Sequence, residues 1–118
     1  MRLSEVSYPD GQPVEGYGPG FFRVGGEIYR GGVLILPNGT REWAGFDEVA
    51  AILEMAAAID VLLVGTGSEI AHLPAGWRAG LEAAGIGVEM MASPQACRSY
   101  NVLLGEGRRV ALAALAVA

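Results

Sequence analysis

The sequence predicts one α/β (α+β) domain over residues 1–118, an N-terminal antiparallel meander followed by a β-α-β-α-β unit. Three observations predict it. The run Val61-Leu62-Leu63-Val64 is a continuous β-branched and leucine segment that breaks at Gly65-Thr66-Gly67, as a strand buried on both faces does at its end. Beyond it the pattern alternates: a helical segment, a short strand at Gly87–Met91, a second helical segment and a last apolar run. Upstream, β-forming runs are separated by glycine pairs, the mark of hairpins. With 118 residues, 52% of them hydrophobic, the chain can bury about two thirds of its unfolded surface without covalent staples.

Residues 1–20 are rich in Gly and Pro, carry a Pro9-Asp10-Gly11 turn signal, and read as extended covering chain with one edge strand near residues 5–8. Phe21-Phe22-Arg23-Val24 and Glu27-Ile28-Tyr29-Arg30 flank Gly25-Gly26, which supplies the positive φ angles of a tight hairpin turn. Gly31-Gly32 bends the chain into a third strand, Val33-Leu34-Ile35-Leu36. Pro37-Asn38-Gly39 turns it into a fourth, Thr40-Arg41-Glu42-Trp43. Across residues 46–58 the period changes to that of a helix. Val49, Ile52, Leu53 and Ala56 share a face, and Asp47 and Glu48 suit the positive amino end. After the central strand Pro74 opens a second helix, with Trp77 and Leu81 four apart and Gly85 at its close. Ser93-Pro94 reads as N-cap and first residue of a third helix, which Gly105-Glu106-Gly107 stops. Residues 108–118 pull two ways: alanine content favours helix, whereas the β-α-β-α rhythm favours a closing strand through Val110 and Leu112, the reading adopted. No repeat, charge run or low-complexity block interrupts this order.

Composition narrows the chemistry. A net charge of −5 gives no basic field to recruit phosphates, so nucleic acid is not an expected partner. Every cation is arginine, which excludes Schiff-base chemistry and a P-loop lysine and leaves planar forks suited to carboxylate or phosphate. Cys97 and His72 are each the sole residue of their kind, so an internal disulfide and metal sites built on several His or Cys ligands are excluded and only an oxygen-ligand site is left open; no metal and no cofactor is expected. Residues 1–6 do not read as a signal or transit peptide, and the apolar runs are too short or too interrupted to cross a membrane. The expectation is a cytoplasmic protein without membrane insertion.

Ligands of open α/β sheets gather beyond the carboxyl ends of the parallel strands. There the sequence places Gly65, Thr66 and Gly67 after one strand and Ser93 after the next, opening a helix that carries Arg98 and Asn101. If the two strands are neighbours, these six residues line a small cleft for an anionic group, with helix N–H groups and the Arg98 fork as donors. The competing reading is structural. Strand-to-loop transitions need glycine whatever they bind, Gly65-Thr66-Gly67-Ser68 lacks the later glycine of a dinucleotide fingerprint, Arg98 can pair with Glu89 or Glu106, and Asn101 can satisfy backbone groups. Cys97 fits a small buried hydrophobe better than a nucleophile, and His72 a solvated loop residue better than its base. No residue is assigned a catalytic role. Trp43, Trp77, Met90 and Met91 are most simply core, and part of this apolar surplus suits a partner or a homo-oligomer.

The run Ala96-Cys97-Arg98-Ser99-Tyr100-Asn101-Val102-Leu103-Leu104, followed by Glu106-Gly107-Arg108, resembles the signature of domain-of-unknown-function family 498. Gly20-Phe21-Phe22-Arg23-Val24, Gly31-Gly32-Val33-Leu34-Ile35-Leu36-Pro37, Trp43 and Leu62-Leu63-Val64-Gly65-Thr66-Gly67 are similar to that family's pattern in the same order. Ser93-Pro94 departs from the Asp-Thr pair of many relatives. The family includes the mitochondrial complex I assembly factor 3 and an adipogenesis-associated protein. The resemblance implies a β/β/α-layered fold with mixed sheets and no established enzymatic activity. It also implies an accessory role through contacts with respiratory-complex subunits or another assembly factor. The alternative from the residues is a small-molecule or anion-binding domain, or an enzyme, using the strand-end cleft.

Overall fold

A five-stranded sheet organises residues 11–118, which the computed structural model describes. In chain order the elements are β1 (Val14–Gly18), β2 (Phe21–Val24), β3 (Glu27–Arg30), β4 (Gly32–Leu36), β5 (Gly39–Trp43), α1 (Ala50–Glu54), a 3₁₀ turn (Ala56–Ala58), β6 (Val61–Gly65), α2 (Trp77–Ala83), β7 (Gly87–Met91), α3 (Ser93–Gly105) and β8 (Val110–Ala114). The large sheet runs β5-β4-β8-β6-β7; β6 is parallel to β7 and β8, and β4 is antiparallel to β8 and β5. The small sheet, β1-β2-β3, is antiparallel throughout.

Side chains alternate across the large sheet, as the period of two requires. Leu63, Val110, Leu112, Val33 and Ile35 face a core shared with Phe22 and Val24 of the small sheet and with Ala96, Cys97 and Tyr100 of α3. Leu62, Val64, Val88, Ala111 and Ala113 face the opposite core with Ile52, Leu81 and Trp43. The helices α1 and α2 therefore form one outer layer, the large sheet the middle, and α3 beside the small sheet the other outer layer. This is the expected β/β/α layering with a mixed sheet. β8 lies between β4 and β6, buried along its whole length. Its alanines suit a central strand that must admit packing on both faces.

Four expectations are corrected. The antiparallel meander is not continuous, because the chain leaves the small sheet at Gly31 and enters the large one, and β3 and β4 do not pair. Residues 14–18, read as covering chain, form β1 on β2. Residues 46–58 are not one helix, since the Trp43 indole N–H donates to the Glu48 carbonyl (2.9 Å) and the Ala44 N–H to the Glu48 carboxylate (2.6 Å). These bonds hold Asp47 and Glu48 in a turn ahead of a five-residue α1. Similarly, Pro74 sits in a turn, its carbonyl accepting the Trp77 N–H, and a left-handed Gly76 (φ 79°) delays α2 to Trp77. The strand expected near residues 5–8 lies outside the described residues. The Gly25-Gly26 turn (φ 59° and 80°), the β2–β3 hairpin and the bounds of β7 agree with the sequence reading.

Arg109, just before β8, bonds both carboxylate oxygens of Asp60, just before β6 (2.7 and 3.2 Å), and holds that carboxyl below its usual pKa. Among the described residues no helix is long and apolar enough to cross a membrane.

Candidate functional site

β6 and β7 are neighbours, so the loops that follow them converge beyond Gly65 and Met91. What fills the space between them is the protein's own chain. The Ser93 hydroxyl accepts the Gly67 N–H (2.9 Å) and donates to the Leu115 carbonyl (2.6 Å). The Ser93 N–H donates to the Gly67 carbonyl (2.7 Å), and the Leu115 N–H to that of Gly65 (2.9 Å). Ser93 is fully buried. It does not cap α3: it is the first helical residue, and Ala92, at the cap position, offers no side-chain bond. That corrects the N-cap expectation, because the hydroxyl is committed to loops on either side rather than to its own helix.

Gly65 is dictated by the same closeness. A Cβ there would lie 2.6 Å from the Ser93 Oγ and 2.7 Å from its Cα, so no larger residue fits unless one backbone moves. The Thr66 hydroxyl donates to the Glu69 carbonyl (2.7 Å) and accepts the Ala71 N–H (3.0 Å), folding the following loop on itself. Residues 115–118 continue along this rim, where the Gly20 N–H donates to the Val117 carbonyl and the Ala118 N–H to the Ser68 hydroxyl.

The structure thus brings Gly65, Thr66, Gly67 and Ser93 together as a brace in which Gly67 and Ser93 bond each other, Gly65 bonds Leu115, and Thr66 bonds Glu69, Ala71 and Met91. Arg98 and Asn101 stand apart, farther along α3. The Asn101 side chain accepts the Val14 N–H and donates to the Val14 carbonyl, both at 2.8 Å, imitating a neighbouring strand and fixing the start of β1. Arg98 is exposed and forms no ion pair or hydrogen bond among the described residues. It lies between two open hollows. One, of about 350 Å³, is lined by Leu63, Glu89, Met91, Arg98, Val102 and Leu103. The other, of about 200 Å³, lies toward β1 and includes Glu15, Tyr17, Cys97 and Asn101. The sequence offers Glu89 only as an ion-pair candidate for Arg98, a pair the structure does not form, and Val102 only as part of the family signature. The position of Val102 one helical turn after Arg98 is the signal that joins them on one face, where Val102 is 60% exposed.

Cys97 is buried and its thiol is pushed up to about 12 by burial, which the neighbouring Arg98 charge only partly counters. His72 lies on the exposed loop after the brace. With the thiolate suppressed, Cys97 of the folded protein reacts with iodoacetamide at pH 8 at least about 100-fold more slowly than in denaturant. Equal rates in mass-spectrometric labelling would contradict that burial. Among the described residues no group of three or more His, Cys, Asp or Glu side chains gathers to hold a metal.

A family model for proteins of unknown function (DUF498/DUF598) matches residues 14–115. An uncharacterised protein of Rhodobacter capsulatus is 49% identical over 115 residues, covering 98% of this chain and 93% of that protein. NADH dehydrogenase (ubiquinone) 1 alpha subcomplex assembly factor 3 of Danio rerio is 30% identical over 89% of this chain and 64% of its own length. Its Rattus norvegicus counterpart is 24% identical over 92% and 62%. This chain thus spans less than two thirds of either assembly factor. Among solved structures, a Bartonella henselae protein described as an outer membrane protein superposes with a TM-score of 0.85 at 34% identity, over 95% of this chain and 100% of that one. A Bordetella pertussis protein described as an Mth938-like domain superposes at 0.73 with 27% identity, over 98% and 90%.

Proposed function

Because this chain belongs to the DUF498/DUF598 family, we propose that it is a non-catalytic accessory protein acting through protein–protein contacts in the assembly of a membrane respiratory complex. Two relatives carry the name of an NADH dehydrogenase assembly factor, and they support the reading from outside the chain. The observation that carries it from inside is the exposed Arg98 guanidinium. It has no ion pair among the described residues and stands one turn from an exposed Val102, at the border of two open hollows. An arginine beside apolar surface is a common anchor of protein interfaces.

In this reading Gly65, Thr66, Gly67 and Ser93 brace the amino end of α3, Asn101 ties α3 to β1, and Arg98 makes the contact. The partner is a respiratory-complex subunit or another assembly factor, and the chain works from the cytoplasm, which cell fractionation tests. The main test is affinity capture from membranes solubilised in mild detergent. Wild type, Arg98→Ala and a control, Arg41→Ala on β5, are compared by quantifying NADH dehydrogenase subunits. Wild type and the control recover them, and Arg98→Ala recovers at least about tenfold less. Recovery of nothing beyond the chain itself contradicts the reading.

A further inference from the structure

We infer that the hollow between β7 and α3 is a self-recognition surface, where two copies of this chain meet about a two-fold axis with Arg98 of each against Glu89 of the other. The inference rests on the reading of the α3 face as a protein-contact surface and names its occupant in the isolated protein.

The hollow follows from the layering. A helix with its side chains is about 10 Å wide and covers about two strands spaced 4.8 Å apart. α3 lies over β6 and β8, so β7, at the sheet edge, keeps one face without a helix. Leu63 of β6 is in register with Glu89 of β7, and parallel neighbours in register point the same way, so Glu89 and Met91 face the α3 side. The walls of the hollow then carry opposite charges: Arg98 on the helix and Glu89 on the strand, both exposed and not paired with each other within 4 Å. Apolar surface from Met91, Val102 and Leu103 lies between them, above the buried Leu63.

Such a patch complements itself. A two-fold axis through the hollow carries the cationic wall of one copy onto the acidic wall of the other, forming the charge pair twice. The same rotation brings Val102, 60% exposed, onto the apolar surface opposite. Pairing of β7 edges is disfavoured. The Gly87 N–H bonds Asp60 and the Met91 carbonyl bonds Thr66, so Val88 and Met90 turn their backbone outward. The outward Val88 carbonyl already accepts the Arg78 guanidinium at 2.7 Å. The face, rather than the edge, is left for a second copy.

Sedimentation equilibrium on the isolated chain tests this with two charge reversals, Arg98→Glu and Glu89→Arg, both at exposed positions. Wild type forms a dimer at about 100 μM. Each reversal alone opposes like charges twice and weakens the dimer at least about 100-fold. An equimolar mixture of the two variants, in which both pairs are again opposite, restores a heterodimer, and the double variant restores a homodimer. Wild type monomeric at that concentration overturns the inference, as does a dimer unaffected by either reversal or a mixture that stays monomeric. A monomeric wild type that still captures NADH dehydrogenase subunits overturns self-recognition alone, and a dimer that captures nothing overturns the assembly role alone.

Discussion

Gly65→Ala lowers the stability of the folded chain by about 3 kcal/mol or more, the largest loss expected from any single added methyl group in the brace. The new Cβ would stand 2.7 Å from the Cα of Ser93, a backbone atom. Trimming the neighbouring side chain therefore cannot relieve it. β6 is held on both sides by β7 and β8, and α3 starts at Ser93 under the hydrogen bonds of Gly67 and Leu115. Neither backbone can retreat without breaking the bonds that join the strand ends. Urea unfolding followed by circular dichroism measures the effect, and combining Gly65→Ala with Ser93→Ala gives no rescue. Recovery of stability in the double variant would show that the hydroxyl, rather than the closeness of the backbones, dictates glycine.

Tyr100→Ala costs about 3–5 kcal/mol, because the ring is fully buried in the core between α3, the large sheet and the small sheet. The phenol O–H donates to the Gln12 carbonyl at 2.9 Å, and burial raises its pKa well above the ordinary tyrosine value. Tyr100→Phe keeps the packing and loses only that bond, about 1 kcal/mol. The two variants, compared by denaturant midpoint at unchanged slope, separate ring from hydroxyl. Equal losses would place the stabilisation in the bond to residue 12 instead of in the core.

The parts of the fold that were legible in the sequence are those written in side-chain periodicity. The run Val61-Leu62-Leu63-Val64 is a central strand because it is apolar on both faces, and Gly87–Met91 keeps its bounds because Val88 and Met90 alternate with Glu89 and Met91. β8 is a strand despite its alanines because its place between β4 and β6 fixes its conformation. What stayed hidden depends on distant partners. β1 has two glycines and little periodicity, and it is pinned by Asn101, 87 residues from Val14. The helix expected over residues 46–58 is shortened by bonds from Trp43 and Ala44 to Glu48 that no helical period reports. At the candidate site the convergence of the two loops was readable from strand order. Its closure by the backbone of Leu115 was not, because carbonyl and amide groups look alike at every position. Arg98 stands out by type and Glu89 as its candidate partner, whereas the two as facing walls of one hollow, with Val102 between, follow only once register places β7 beside α3.

Photo-crosslinking in cells probes the proposed contact between the outer face of α3 and a protein partner in membrane-complex assembly. Benzoylphenylalanine replaces Val102 on α3 or, as a control, Ile28 on β3, which is also exposed at 42%. Light-dependent products from position 102 are expected to join the chain to an NADH dehydrogenase subunit or another assembly factor, with none from position 28. Products in equal amount from both positions, or none from position 102, would contradict the proposed contact.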